Sequence, residues 1–385
     1  MTNNSNSQAS NLHKDNGGRT PVVVLDVRVL QKPVSGVGNV AFDIYQELVA
    51  LSENGVIRLL TVGLSGRRYS EYYQIHPEYS FPKKEKFCNI LSFSPIFLNF
   101  ILPRFLKQHN ADYLLTPTYF GPIRQIHTRR IAVVHDLAHR RVREAKPWWY
   151  RLYLNVHLWL SVRNQHKVLT ISHASKRDLI RYYGPEMESK VGVRYPRSPL
   201  MKMAEKATLP MHDREPIVLF VGRIEKRKNL DASCRVVSAT RRRVPDVRFV
   251  VGSGDPYERF TMFPSCIDCD CVELVRHADD SALYELYSRA KVLIYPSLYE
   301  GLGFAVLEAL AAGLPVVGTN RPAVDELLSP TFPVFNPYDI DMMVEETVRL
   351  LTDPSYWQAQ SLASRHRYTE LISANATLES VLFDH

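Results

Sequence analysis

The sequence predicts an α/β protein with two tandem domains, each built on a parallel sheet with crossover helices. Short β-branched runs alternate with helical patterns over residues 21–195 and again over residues 216–365. Residues 196–215 interrupt this alternation with several prolines and no apolar period, as a linker does. A chain of 385 residues is also an ordinary length for two domains.

In the first block, each strand is predicted from a short run of Val, Ile and Leu. These strands are 21–27, 57–64, 111–117, 130–136, 167–173 and 190–195. The glycine-containing loop SGVGN at 35–39 precedes an amphipathic helix, and a second helix begins at Ser175 and stops at Gly184. The polar residues 1–20 are predicted to be a disordered tail.

The second block shows the same alternation. Its predicted strands are 217–223, 247–254, 271–276, 291–297 and 315–320. Helical patterns stand between these strands, and further helices are predicted at 338–353 and at about 355–385. The two blocks therefore predict two Rossmann-like domains.

Composition restricts the class of protein. The chain is 45% hydrophobic and 23% charged, as soluble globular proteins are, and its formal net charge of +8 favours anionic partners. The first twenty residues lack the apolar core of a signal peptide, and no window has the roughly 18 apolar residues of a membrane span. The five cysteines are odd in number, which argues against a disulfide framework. We therefore expect a cytoplasmic protein.

Two glutamates stand in an otherwise uncharged apolar run, YEGLGFAVLEALAAGLPVV at 299–317. Glu300 follows a predicted strand, and Glu308 lies near the start of the next helix. Open α/β sheets bind ligands at the carboxyl ends of their strands. Gly301 and Gly303 allow a tight turn that brings backbone amides to a ligand. A lone glutamate here would indicate a helix cap, but the pair suits a polyhydroxylated, phosphorylated ligand.

The first strand of the second block leads into a basic loop, FVGRIEKRKNL at 220–230. One glutamate stands against four cations, which are Arg223, Lys226, Arg227 and Lys228. Guanidinium forks and ammonium groups both bind diphosphates. An isolated loop of this kind is more often a solvated turn, but beside the glutamate pair it indicates a diphosphate site.

Together these motifs resemble the retaining glycosyltransferases of the GT-B fold, in glycosyltransferase family 4. The E-x7-E spacing of that family runs from Glu300 to Glu308, and GRIEKRKNL resembles its diphosphate-binding loop. In the first block, SGVGN and VVHD at 133–136 resemble its glycine loop and His–Asp element. The pattern LDVRVL…SGVGN…TPTYFGP…VVHDLAH is most similar to bacterial mannosyltransferases of polysaccharide assembly. The resemblance covers roughly residues 22–350.

The resemblance implies a fold and assigns acceptor binding and donor binding to different domains. Two Rossmann-like domains would face each other across a cleft, with the acceptor on residues 21–195 and the nucleotide sugar on residues 216–365. Residues 366–385 would form a helix that crosses back to the first domain. No enzyme nucleophile is implied: the acceptor hydroxyl would attack the face that the diphosphate leaves, and cationic side chains would replace a metal.

The same resemblance implies roles for individual residues. Glu308 would bind the ribose, Glu300 would bind the donor sugar, and His135 would lie near the reacting carbon with Asp136 orienting it. Arg223 and Lys228 would stabilise the leaving diphosphate. The remaining donor-binding residues implied are Gly36, Gly38, Gly301, Gly303, Phe304 and Arg276.

Departures from the family pattern leave the donor open. The family often has Pro where Ala305 stands and Phe where Leu302 stands, and both positions flank the sugar site. GDP-mannose is the expected donor, with UDP-glucose and UDP-N-acetylglucosamine as alternatives and no metal cofactor. The Cys266-Ile-Asp-Cys-Asp-Cys271 stretch lacks a second ligand pair for zinc, and we expect it to be a surface loop.

Two basic segments rich in aromatic residues, 81–110 and 140–160, lie in the acceptor-side block. Such segments suit an anionic membrane surface, although helices with core faces and snorkelling cations have the same composition. The expected acceptor is a polyprenyl-diphosphate-linked or other saccharide, and the expected location is the cytoplasmic face of the inner membrane. A rival hypothesis is a non-catalytic protein that binds nucleotide, nucleic acid or membrane, although no nucleic-acid motif is present.

Overall fold

The computed structural model describes residues 19–31, 35–64, 73, 75–81, 96–124, 126–141, 148–204, 213–253, 271–276 and 279–383. The chain divides into two compact units. The first comprises residues 1–171, 175–196 and 375–385, and the second comprises residues 172–174 and 197–374. Each unit has its own sheet, as the two blocks of the sequence predict.

The sheet of the first unit has seven strands in the order β3-β2-β1-β4-β5-β6-β7, and every pairing is parallel. The strands are β1 (Val22–Asp26), β2 (Arg58–Leu64), β3 (Tyr79–Phe81), β4 (Tyr113–Thr116), β5 (Arg129–Val134), β6 (Lys167–Thr170) and β7 (Val191–Val193). The short β3 was not predicted, because three residues are too few to show a periodicity. Central strands of a parallel sheet are covered on both faces, and accordingly all five residues of β1 are buried.

The helices of the first unit cover this sheet. They are α1 (Gly36–Glu53), α2 (Leu102–Gln108) preceded by a π-helical turn (Phe97–Ile101), α3 (Ala138–Arg141), α4 (Trp148–Asn164), α5 (His173–Tyr183, which begins in the second unit) and α13 (Leu378–Phe383). The turn before α2 packs Phe97 and Leu98 on the strands, and α4 packs Leu158 and Val162.

The second unit has a six-stranded parallel sheet in the order β10-β9-β8-β11-β12-β13. Its strands are β8 (Ile217–Val221), β9 (Arg248–Ser253), β10 (Val272–Arg276), β11 (Val292–Tyr295), β12 (Val316–Thr319) and β13 (Val334–Phe335). Its helices are α6 (Pro199–Ala204), α7 (Leu230–Arg241), α8 (Asp280–Arg289), α9 (Phe304–Ala311), α10 (Pro322–Leu328), α11 (Ile340–Thr352) and α12 (Pro354–Ser373). Trp357 of α12 is fully buried in the core of this unit.

Three predictions need correction. The linker is not without an apolar pattern, because α6 lies in it and buries Leu200, Met201 and Ala204. The closing helix is not continuous, because α12 ends at Ser373 and a separate helix, α13, lies in the first unit with residues 375–385. Cys234 and Cys271, both in the core of the second unit, are disulfide-bonded. The cysteine count alone gave no sign of this.

Candidate active site

The acidic and basic motifs of the second unit meet in one buried ion cluster. Glu300 forms ion pairs with Lys228 at 2.7 Å and with Arg227 at 3.0 Å. Lys228 also donates to the Tyr295 hydroxyl at 2.7 Å, and Ser297 donates to Glu300 at 2.5 Å. The Glu300 side chain is only 7% exposed. The cluster therefore satisfies the buried carboxylate with three neighbours, which is what keeps such a charge tolerable.

The topology of the sheet explains why these residues meet. β8 pairs with β11, so the loops that leave their carboxyl ends are neighbours. The first loop turns through a 3₁₀ helix, Lys226–Lys228, and the second carries Glu300. The two loops are joined because the Arg227 carbonyl accepts from the Leu298 amide at 2.7 Å.

The cluster holds Glu300 ionised. Burial by itself opposes ionisation of this carboxyl, but the adjacent Lys228 and Arg227 outweigh burial and lower its pKa below the ordinary value. The site thus presents a fixed negative charge directly beside two cations. Such an arrangement can accept hydrogen bonds from sugar hydroxyls at one oxygen while the cations face a phosphate.

Gly303 brings the chain into α9. It is the residue before the helix, with φ of 98° and ψ of 63°, a left-handed conformation that favours glycine. The Val306 and Leu307 amides donate to the Gly303 carbonyl, and the Phe304 amide precedes these first bonds of α9 and points toward the helix N-terminus. Gly301 lies in the same loop, and its carbonyl accepts from Ser172, which also belongs to the second unit.

Glu308 lies one turn inside α9 and is buried. Its two oxygens accept from the Tyr287 hydroxyl at 2.9 Å and from the Ser198 hydroxyl at 3.2 Å. Burial raises the pKa of this carboxyl to about 7, and the two hydrogen bonds oppose the shift without cancelling it. A carboxylate has about four acceptor positions, so a ribose hydroxyl can still bind.

Arg223 is linked to this cluster through Glu225, which also pairs with Arg227 at 2.8 Å, and Arg276 lies apart from it. The Arg223 side chain is 64% exposed and forms an ion pair with Glu225 at 3.2 Å. Arg276 ends β10, the outermost strand, and two strands separate it from β11. His277, its neighbour, lies outside the described residues.

In the first unit, His135 follows β5 at the carboxyl edge of the sheet and is buried. Its Nε2 lies 3.1 Å from the Pro117 carbonyl oxygen. Burial lowers the pKa of this imidazole, and the Pro117 contact and the charge of Asp136 offset burial only in part. A carbonyl can only accept, so the neutral ring carries its proton on Nε2 and leaves Nδ1 as an acceptor.

Asp136 does not hold the imidazole as expected. Its Oδ1 accepts instead from the Tyr119 hydroxyl at 3.1 Å and from the Ala138 amide at 3.0 Å. The Tyr119 ring packs edge-on against His135, with centroids 5.5 Å apart. The ring is therefore oriented by Pro117 and Tyr119, and Asp136 acts through Tyr119 and through its charge.

The SGVGN segment is a helix start rather than a loop. α1 begins at Gly36, and the Ser35 hydroxyl caps it by accepting from the Gly38 amide. A Cβ on Gly38 would come within 2.3 Å of the Tyr73 hydroxyl, so a larger residue here would need the Tyr73 side chain to move. Gly36 and Gly38 therefore present a helix N-terminus after β1, in keeping with an anion site.

Sequence reasoning missed several residues that complete these sites. They are Arg227, Tyr295, Ser297, Tyr287 and Ser198. Arg227 was counted only as one cation of its loop. The other four residues have no local sequence pattern that distinguishes them from ordinary structural positions. Only their partners identify them.

Within the described ranges, no group of three or more His, Cys, Asp or Glu residues could hold a metal ion. Most of the Cys266–Cys271 stretch lies outside those ranges. None of the helices that the structure describes is both long and apolar enough to cross a bilayer.

Two family models match the chain in tandem. The model of glycosyl transferases group 1 matches residues 202–370, and the model of glycosyltransferase family 4 matches residues 34–196. The boundary between them coincides with the division into two units at Pro196.

Individual proteins are similar as well. The O-antigen chain mannosyltransferase B of Escherichia coli is 24% identical over 284 residues, which are 70% of this chain and 73% of that protein. The serotype-specific mannosyltransferase WbdA of Escherichia coli is 23% identical over 71% of this chain, but the match spans only 35% of WbdA. The structure of Anabaena HepE in complex with UDP and glucose aligns with a TM-score of 0.68 at 14% identity, covering 95% of this chain and 100% of HepE.

Proposed function

Because the chain belongs to the GT-B glycosyltransferases with group 1 and family 4 domains, we propose that it transfers mannose from GDP-mannose, with retention of configuration, to a lipid-linked saccharide. The product would serve the synthesis of a bacterial surface polysaccharide. The observation that carries the proposal is the buried cluster of Glu300 with Lys228 and Arg227 at the carboxyl edge of the second sheet.

Each part of the site has a chemical task in this reaction. Glu300 accepts hydrogen bonds from sugar hydroxyls, and the amides at Gly303 and Phe304 donate to the sugar. The negative charge that develops on the leaving diphosphate is stabilised by cations that are already in place. Glu308 accepts from the ribose hydroxyls, which bind most strongly to its ionised form.

Retention follows in this proposal from attack on the face that the diphosphate leaves. The acceptor hydroxyl passes its proton to the departing phosphate oxygen, so no carboxylate is needed as nucleophile. His135 offers a neutral ring whose Nε2 proton is donated to the Pro117 carbonyl, so its Nδ1 can accept from a sugar hydroxyl but not bind a charged phosphate. No metal is expected, and EDTA should leave the activity unchanged.

The choice of GDP-mannose is supported by the two Escherichia coli relatives, both named as mannosyltransferases. UDP-glucose is the nearest rival, since the HepE structure holds UDP and glucose. UDP-N-acetylglucosamine is a further alternative. Leu302 and Ala305, which depart from the family pattern, are both buried beside Gly303 and help to shape this end of the site.

Contact with an anionic membrane is part of the proposal. Along α4, four large apolar side chains with helical spacing are exposed: Trp148 (76%), Leu152 (56%), Val156 (50%) and Trp159 (38%). Tryptophan is typical of membrane interfaces, and the net charge of +8 favours anionic lipid. In the segment 81–110, Phe97 and Phe105 are buried whereas Phe100 is 56% exposed, and residues 82–95 lie outside the described ranges.

The test of the donor is a thermal-shift screen of the purified protein against GDP, UDP, ADP and their sugar conjugates, with EDTA present. A hundredfold excess of ligand over its dissociation constant stabilises a protein by about 2.7 kcal/mol. We expect a selective shift with GDP and GDP-mannose. A shift confined to UDP compounds would replace mannose by glucose or N-acetylglucosamine. No shift with any nucleotide would favour the non-catalytic binding protein.

The test of the membrane contact is flotation on vesicles that contain phosphatidylglycerol. The wild type should float, whereas the double variant Leu152→Ser, Trp159→Ser should remain in the soluble fraction. A variant at exposed apolar residues of the second unit, Met342→Ser with Leu362→Ser, is the control and should float like the wild type. Equal flotation of all three proteins would contradict a membrane role for α4.

A further inference from the structure

A cavity of about 470 Å³ lies in the first unit, and none of its lining residues is among those assigned to catalysis. One wall comes from the turn Phe97–Ile101 and from α2, and the other from residues 124 and 126–128, which lead into β5. Residues 111 and 126–128 of this lining come just before β4 and β5, at the amino ends of these strands, whereas the turn Phe97–Ile101 extends toward the carboxyl edge, where Arg28 lies over the Phe97 ring. His135 follows the carboxyl end of β5, so in this parallel sheet it lies at the edge opposite to residues 126–128 of the groove.

Among the described residues, the charged side chains that line the groove are all basic. The polar rim of the groove carries Arg104, Lys107, Arg124 and His127, all of them exposed. No acidic side chain occurs among the described residues that line it. The two arginines and the lysine give the groove a positive potential that no lining carboxylate among the described residues neutralises.

Part of the lining of the groove is apolar. The apolar lining residues are Phe100, Pro103, Leu106, Ala111 and Ile126. Phe100 is 56% exposed, although its neighbours Phe97 and Leu98 are fully buried. The Arg124 guanidinium lies 5.5 Å from the centre of the Phe100 ring, so a cation and an apolar surface stand side by side.

Buried polar side chains fix the two walls to each other. The Asn99 side-chain oxygen accepts from the amides of Ile123 at 2.7 Å and of Arg124 at 3.1 Å. The Thr128 hydroxyl donates to the Ala111 carbonyl at 3.0 Å. Both side chains are buried and serve the frame of the groove rather than its opening. The cations are thus carried by a backbone that is already in position, which lowers the entropic cost of binding.

We propose that this groove binds a phosphate ester attached to an apolar chain. Arginine and lysine match the phosphate, and the apolar lining, Phe100 included, matches the first part of the chain. A phospholipid and a free phosphate ester share the anionic group, but only the lipid uses the apolar lining. The site is independent of the proposed donor site, which belongs to the other unit.

The experiment measures binding to the full-length protein by calorimetry with two probes. They are dihexanoylphosphatidylglycerol below its micelle concentration and glycerol 3-phosphate. We expect the lipid to bind more tightly than the free ester. The variant Lys107→Gln, Arg124→Gln should bind the lipid about tenfold more weakly or worse, because two charge-assisted contacts are lost. Its thermal shift with nucleotide should equal that of the wild type.

A charge-matched control separates a site from general attraction. Arg235 and Arg242 are exposed in the second unit, and the variant Arg235→Gln, Arg242→Gln removes the same charge. It should keep the wild-type affinity for the lipid. Unchanged binding in the groove variant, or an equal loss in the control, would overturn the proposal. Equal affinity for lipid and free ester would overturn the role of the apolar lining.

Discussion

The hydroxyl of Tyr287 donates a 2.9 Å hydrogen bond to the carboxyl of Glu308. It links α8 to α9 in the second unit, and Ser198, just before α6, completes the arrangement from the other oxygen. Both donors are themselves buried. The orientation of the residue proposed to bind ribose thus depends on two side chains that no sequence motif contains.

We expect Tyr287→Phe to weaken nucleotide binding about tenfold. The ring is kept, but one Glu308 oxygen loses its donor and the carboxyl loses its fixed orientation, a loss worth about 1–3 kcal/mol. Titration with GDP would measure the change. Tyr284→Phe, on the same helix and less buried, is the control and should bind as the wild type does. Equal affinities for the two variants would contradict the positioning role.

Glu308 should also give the protein a characteristic pH dependence. Its folded-state pKa is about 7 and its ordinary value is 4.5, so between these values the folded state keeps a proton that the unfolded state has lost. The contribution of Glu308 to the free energy of unfolding is therefore largest below pH 4.5. It falls by roughly 2–4 kcal/mol as the pH rises toward 7.

Glu308→Gln removes that ionisation. His135, whose pKa is lowered, contributes in the opposite direction, but it does so in both proteins. Urea unfolding at pH 5 and pH 8 should show a larger loss of stability with rising pH in the wild type than in Glu308→Gln. Parallel behaviour of the two proteins would show that the carboxyl is not buried as described.

Lys228→Met should destabilise the protein and abolish transfer. The substitution leaves Glu300 with one fewer cation in a buried site, and breaking such a pair costs about 3–5 kcal/mol. Lys226→Met, an exposed neighbour in the same turn, should cost less than about 0.5 kcal/mol. Chemical denaturation of both variants gives the comparison, and equal costs would argue against the cluster.

Arg223→Ala separates catalysis from folding. Because this side chain is 64% exposed, its loss should leave stability nearly unchanged. If it stabilises the leaving diphosphate, kcat should fall about tenfold or more while the KM for the donor changes little. A normal kcat here, with unchanged kinetics also in Glu308→Ala and Lys228→Ala, would contradict the whole site assignment.

Gly303→Ala tests the amides at the start of α9. Alanine at φ of 98° is strained and costs about 1–3 kcal/mol, and the strain is relieved by moving the amides away from the donor. Gly55→Ala is a matched control, since Gly55 has φ of 73° with open space around it in the first unit. Both variants should lose stability, but only Gly303→Ala should bind the donor less tightly.

The fold was largely predictable because its signal is local and repeated. Continuous apolar runs such as 217–221 become central strands, since both faces of a parallel sheet are covered. The edge strands β3 and β13 were not predicted because they are only three and two residues long. The helix α6 was not predicted because the prolines around it are typical of a linker. Its burial depends on tertiary packing, which the local sequence does not show.

The sequence by itself determined the two sheets, the order of their elements and the presence of Glu300, Glu308 and a basic loop at strand ends. Glycines and charges at fixed spacing carry that information along the chain. Only the tertiary structure decided which cation meets which carboxylate. Arg227 and Lys228, rather than Arg223, contact Glu300, and Tyr287 and Ser198 hold Glu308. The physical reason is that hydrogen bonds and ion pairs between distant segments depend on how β8 aligns with β11 and on how α8 and the segment before α6 pack against α9, and no local pattern records that packing.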